Sequence, residues 1–257
     1  MSMADLSIAG HSGGAVLFLL AAAFIAGFAR GFSGFGAALI FMPLASAVIG
    51  PQSSAPLLLI IDAVAALGLL PRGWLLADRP SVGTMTLGAL VGVPLGTYAL
   101  ARMDPLTLRW SIVLLVVLLL GLLMSGWRYH GRPATPLTIG VGGLAGFFSG
   151  AAQVGGPPVV AYWLGGGGNG VVVRANIVLY FAISSALTGA SYLAGGLITR
   201  PVLVLALATG PFYGFGLYLG SLVFGQTSER GYRWACYGLI AMASIVSLPV
   251  LDPILGR

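Results

Sequence analysis

Arg30 is the residue in this chain whose type and position most directly suggest chemistry. It lies inside the apolar stretch 15–49, directly before Gly31-Phe32-Ser33-Gly34-Phe35-Gly36. A guanidinium at bilayer depth persists when it faces a cavity or a partner. Its planar fork of donors suits a carboxylate, sulfonate or phosphate, and backbone N–H groups at a broken helix end add donors for the same anion. Arg30 is therefore the candidate anion contact, with Gly31, Ser33, Gly34 and Gly36 around the same break. The competing role is structural, as an interface anchor or an ion-pair partner. Asp62 is the second ionisable group in an apolar run, the segment 55–70. A lone carboxyl there is a candidate for proton coupling or gating, or for a static pair with Arg30.

A second glycine-rich break follows later in the chain. Ser149 stands where Arg30 stands in the first, and Gln153, Gly155, Gly156, Pro157 and Pro158 follow it. Ser and Gln can donate hydrogen bonds to an oxyanion without adding charge. Ser33, Gln52, Gln153, Tyr162, Asn176, Tyr180 and Ser184 are candidates to line the same cavity, and each type also serves as an ordinary hydrogen bond between helices. Gln153, Gly155, Gly156 and Asn176 join the Arg30 group as expected substrate contacts.

The elements that must hold these groups follow from composition. The chain has 257 residues, 58% hydrophobic and only 7% charged, whereas soluble domains carry about a quarter charged residues. It reads as an all-α polytopic membrane protein. The twelve basic residues outnumber six acidic ones, and all twelve are Arg, of which all but Arg30 are scattered singly in loops or at span ends. That pattern sets orientation in a membrane and does not point to nucleic acid. One cysteine, Cys236, and two histidines, His11 and His130, give poor support for a disulfide, haem or catalytic zinc. No cofactor and no enzymatic activity are expected. Glycine strings such as 31–36 lack the strand-turn-helix setting of nucleotide sites, and no Lys exists for a P-loop. The N-terminus has no basic n-region and does not read as a cleaved signal.

Apolar segments fall at 15–30, 37–49, 55–70, 82–100 and 106–125. After the polar stretch 126–136 they restart at 137–151, 157–164, 171–193, 201–224 and 233–251. The sequence thus divides into a first repeat, 1–125, a linker, 126–136, and a second repeat, 137–257. Residues 27–36 lie over 146–155 at a constant offset of 119, with Gly27, Phe28, Gly31 and Gly36 matching outright. Arg109-Trp110 matches Arg233-Trp234, and Leu95-Gly96-Thr97-Tyr98 resembles Phe215-Gly216-Leu217-Tyr218. The first apolar stretch of 35 residues would be roughly 52 Å long as one helix, against a core of about 30 Å, so it must break. Unwound backbone at membrane depth survives only where protein buries it or a wet cavity meets it. Paired glycine- or proline-broken segments in two halves are the sequence pointer to a transporter's midplane site.

Arginine counting bears on topology. If each broken segment is a single crossing, the loop arginines show no bias. If it is a hairpin or a pair of crossings, each half has an odd number of spans. Seven arginines (72, 79, 128, 132, 174, 230 and 233) then share a face against four (102, 109, 200 and 257). This obeys the positive-inside rule and makes the halves inverted repeats, with both termini outside the cytoplasm.

With the duplicated halves and the two motifs, 27–36 and 146–158, in view, the chain resembles the TauE/SafE sulfite exporter family, also called the toluene sulfonate uptake permease family, over essentially its whole length. The resemblance implies a secondary carrier of the bacterial inner membrane that moves small sulfur-containing anions such as sulfite or organosulfonates, usually outward. Its partners are then the anion and the lipid bilayer, with a homo-oligomer compatible; protons enter only through Asp62 as the candidate coupling group. An anion channel and a structural subunit of a larger membrane complex are the competing readings.

Overall fold

In a computed structural model of the chain, residues 10–33, 36–66, 70–129, 131, 134–165, 169–223 and 229–255 are described. Among them every regular element is helical: α1 Gly13–Ser33, α2 Ala37–Ile49, α3 Pro51–Ala66, α4 Leu70–Leu76, α5 Arg79–Arg102, α6 Pro105–Ser125, α7 Thr135–Ala152, α8 Gly156–Gly165, α9 Gly170–Ala194, α10 Arg200–Val223, α11 Glu229–Val246 and α12 Asp252–Leu255. Local chemistry sets several of the starts. Ser12 precedes α1 and its Oγ accepts from the Ala15 amide at 3.4 Å. Asp104 accepts from the Thr107 amide at 3.0 Å ahead of Pro105, and Asn169 accepts from the Val171 amide at 2.9 Å. These side chains occupy amides that a helix start leaves outside its own ladder.

Among the described residues five helices, α1, α5, α6, α9 and α10, are long and apolar enough to cross a membrane. Their exposed apolar side chains, such as Leu114 and Leu118 on α6 and Leu207 on α10, are what lipid-facing helices present. The chain is a multi-pass membrane protein.

The helices pack in two compact units, and each unit draws on both sequence repeats. One comprises Met1–Ile61, Met103–Gly121 and Leu197–Arg257; the other comprises Asp62–Arg102 and Leu122–Gly196. In the first unit α1 runs parallel to α10. A Cβ on Gly27 would strike the Tyr213 carbonyl and one on Gly31 the Leu217 carbonyl; reciprocally, Gly216 faces Phe24 and Gly220 faces Phe28. Small residues four apart thus let two backbones touch, the glycine-stripe mode of helix association in membranes. The second unit repeats the device. Gly88, Gly92 and Gly96 of α5 meet Ile139, Gly143 and Phe147 of α7, while Gly142, Gly146 and Gly150 of α7 face back onto Met85, Ala89 and Val93. Contact positions rise together on both helices, so α5 and α7 are parallel as well. Each glycine-broken first helix is thus held by a helix of the other repeat.

Three of the glycine pairs that match between the repeats are these packing glycines. Gly27 and Gly31 correspond to Gly146 and Gly150, and Gly96 to Gly216. Gly31 and Gly150, expected at the breaks, lie inside helices. The chain leaves the helix later, between Ser33 and Ala37 and between Ala152 and Gly156.

Candidate functional site

The second break is a tight reversal. Gln153 ends α7 in the left-handed region at φ 59°, with its amide turned back to Ser149 O at 3.0 Å, and Val154 N–H reaches Phe148 O at 3.3 Å. A non-glycine residue with positive φ is uncommon and persists where its surroundings fix it. Here the surroundings are visible. The Gln153 amide group donates to Ser149 O at 3.2 Å and to the Tyr192 hydroxyl at 3.3 Å, while the fully buried Tyr192 donates to Gly150 O at 2.8 Å. Tyr192, from the end of α9, therefore satisfies carbonyls that the end of α7 leaves open.

From this turn α8 runs back along α7. Gly155 packs tightly against the Ala145 carbonyl and Ser149 Oγ. Seven residues on, the Tyr162 hydroxyl is 2.6 Å from Thr138 Oγ1 near the start of α7. α8 has 10 residues, or about 15 Å, half of a hydrocarbon core. α9 then starts at the end from which α7 started: Asn176 Oδ1 accepts from the Asp78 amide just before α5, Tyr180 bonds Gly142 O, and Tyr192 bonds Gly150 O. The α7–α8 segment is a hairpin that returns to its own side. Parallel α5, α7 and α9 also gather Arg79, Arg128 and Arg174 at one end of this unit and leave Arg102 at the other.

The first break joins α1 to α2, which pack against each other. Arg30 lies in the last turn of α1, half-buried, where the negative end of the helix dipole favours a cation. Gly36 opens α2 at φ 101°, a conformation that glycine adopts without strain. Its carbonyl accepts from the Leu39 amide at 3.1 Å. Ala37 and Ala38 carry amides of the kind that a helix start cannot use internally, at the positive end of the α2 dipole. Ser33 closes α1, and Gly34 lies outside the described residues.

The two breaks are unequal in donors. α8 opens with Gly156-Pro157-Pro158, and each proline deletes an amide donor. The first break has the cation and a full set of amides; the second has Gln153, Ser149 and Tyr192 around helix-end carbonyls. Asn176 lies apart from that turn. It is 16 residues before Tyr192 on α9, roughly 24 Å along the axis, and it holds the start of α5. Tyr162 and Tyr180 likewise bond neighbouring helices. Asp62 is half-buried on α3, the first residue of the second unit.

Two groups near the second break escape a reading of sequence. Tyr192 was one tyrosine among nine, and only its packing against the end of α7 marks it. Thr97 is 6% exposed, and its Oγ1 has no hydrogen-bond partner in the structure. Its amide nitrogen is 2.9 Å from where a Gly150 Cβ would be, next to the end of α7. The match of Thr97 to Leu217 between the repeats was a weak signal that this position differs between them.

A sequence model of the family described as Sulfite exporter TauE/SafE matches residues 19–247. No curated protein and no solved structure matches the chain.

Proposed function

We propose, from the premise that the chain belongs to the sulfite exporter TauE/SafE family, that it is a secondary carrier exporting small sulfur-containing anions such as sulfite or organosulfonates across the bacterial inner membrane. The family supplies the transporter class and the sulfur anion. The observation that carries the site is the first break, with Arg30 in the last turn of α1 and the positive end of α2 following Gly36. A fork of guanidinium donors and helix-start amides suits a singly charged sulfonate or bisulfite oxyanion. Arg30, Gly31, Ser33, Gly34 and Gly36 form the charged side of this reading. Gln153, Gly155 and Gly156, at the second break, are proposed as further substrate contacts that add no charge, with fewer amides because of Pro157 and Pro158.

Alternating access is the mechanism we favour. The α7–α8 hairpin supports an odd number of crossings per half, hence inverted repeats. The rocking bodies are taken to be the two sequence halves, before and after the linker 126–136. Asp62, a carboxyl within an apolar run of the first half, is assigned the gating or proton-coupling role.

The test is binding of sulfite, small sulfonates and matched carboxylates to purified protein, read as thermal shift, with Arg30→Ala and Arg30→Lys beside the parent. Arg30→Ala is expected to fold and to lose the shift, and Arg30→Lys to retain part of it. An unchanged shift in a folded Arg30→Ala protein removes Arg30 from the site. Counterflow of labelled anion in proteoliposomes separates a carrier from a channel.

A further inference from the structure

We infer that α4 is an interfacial helix that docks anionic phospholipid headgroups at one end of the second unit. α4 is described over seven residues, about 10 Å of helix. Its inner side is fixed: a Cβ on Gly73 would lie 2.9 Å from Val178 Cγ1, so α4 packs closely against α9. Its outer side carries Trp74, Leu75 and Leu76, which are 53%, 74% and 51% exposed. Three large exposed apolar side chains next to the ends of membrane spans belong at the boundary of headgroups and acyl chains, where Trp is enriched.

Charge identifies the occupant. The Arg79 guanidinium lies 4.8 Å from the Trp74 ring centroid, so a cation stands directly over the apolar step. Arg174 is exposed on α9 beside Ala175, whose carbonyl faces Gly73 at 3.7 Å. Arg128 is exposed at the same end of the unit, and Asp78 is the exposed acid of the group. A surface with acyl-binding side chains below and guanidinium groups above matches a phosphodiester on a lipid, because Arg pairs with phosphate oxygens through two parallel donors. A free anion would use the guanidinium groups and leave Leu75 and Leu76 without a role. The inference stands on this surface alone and is independent of the transported substrate.

The full chain is reconstituted in nanodiscs of phosphatidylcholine, with and without phosphatidylglycerol, and the thermal midpoint and the co-purified lipid by native mass spectrometry are read. Phosphatidylglycerol is expected to raise the midpoint and to be retained. Arg79→Gln is expected to weaken retention about fivefold, the loss of one basic contact at a membrane surface, and Leu75→Gln, on an exposed side chain, to reduce it as well. Arg102→Gln is the matched control, since Arg102 lies over Tyr98 at 5.9 Å at the opposite end of α5 from Arg79 and α4, and should leave retention unchanged. Equal loss in Arg79→Gln and Arg102→Gln, no preference for phosphatidylglycerol in the parent, or the same stabilisation by inorganic phosphate overturns the inference.

Discussion

Alanine at Gly142 and at Gly140 should move stability in opposite directions, although the two glycines are two residues apart on α7. A Cβ on Gly142 would collide with the Met85 carbonyl and sit 2.8 Å from its carbon, both backbone atoms of α5. No rotamer change can relieve that, so α5 and α7 must separate. Forcing a methyl group into a packed contact costs about 1–3 kcal/mol. Separation also strains the hydrogen bond from the Tyr180 hydroxyl to Gly142 O at 3.3 Å, and the higher helix propensity of Ala returns only about 1 kcal/mol. The net is a loss of about 1–2 kcal/mol. Around Gly140 nothing lies within 4 Å of the Cβ position, so Gly140→Ala keeps the propensity gain without the clash. At roughly 2–4 °C per kcal/mol for a chain of this size, Gly142→Ala should lower the unfolding midpoint by about 2–8 °C and Gly140→Ala raise it by about 2–4 °C. Intrinsic tryptophan fluorescence in one detergent on both variants and the parent measures this. Equal shifts of the same sign would refute the close parallel contact of α5 and α7.

Three further outcomes test other parts of the structure. Tyr192→Phe removes the hydroxyl that meets Gly150 O and Gln153; leaving a buried carbonyl unsatisfied should cost about 1–3 kcal/mol, read as a lower midpoint with faster hydrogen exchange at the α7–α8 turn. Arg109 makes two bonds to the Asp252 carboxylate, at 2.6 and 2.9 Å, and a third to Ser247 O at 3.3 Å. Arg109→Ala should therefore cost about 1–3 kcal/mol, and a double-mutant cycle with Asp252→Asn should give a coupling energy above about 0.5 kcal/mol. If Asp62 couples transport to protons, Asp62→Asn retains anion binding but loses the dependence of uptake on an imposed pH gradient; unchanged dependence excludes Asp62 as the coupling group.

Much of this architecture was legible in composition and spacing because lipid imposes few solutions on a backbone. The sequence matches the observed helices at 37–49, 82–100 and 106–125 to within a few residues, and the overlong first stretch had to break. The partner of each glycine stripe was not legible. A small residue every four positions specifies close approach to some helix, and nothing in Gly27 and Gly31 names α10. For the same reason Gly31 and Gly150 read as breaks when they are contacts, whereas Gly36 and Gly155 do lie at the breaks. Asn176 and Tyr180 were ambiguous for a different cause. A polar side chain in an apolar run has the same sequence signature whether it meets substrate or an adjacent helix; the structure adds the bonds to Asp78 N–H and Gly142 O. Gln153 was singled out for its type, but its positive φ and its bonds to Ser149 and Tyr192 come from tertiary packing that no local pattern carries.

The pairing of α1 with α10 has a consequence for biogenesis. Gly216 follows Gly27 by 189 residues, whereas Gly142 follows Gly88 by only 54. At about 5–20 residues per second of synthesis, the first glycine groove waits roughly 10–40 s for its partner. The α5–α7 contact is complete well before then. During that interval the groove on α1 has lipid or an insertase to face, and a ribosome stalled before α10 leaves it unfilled. A chain cut at the linker 126–136 would give two fragments, each with one strand of both grooves, that regain their packing only by finding one another in the bilayer.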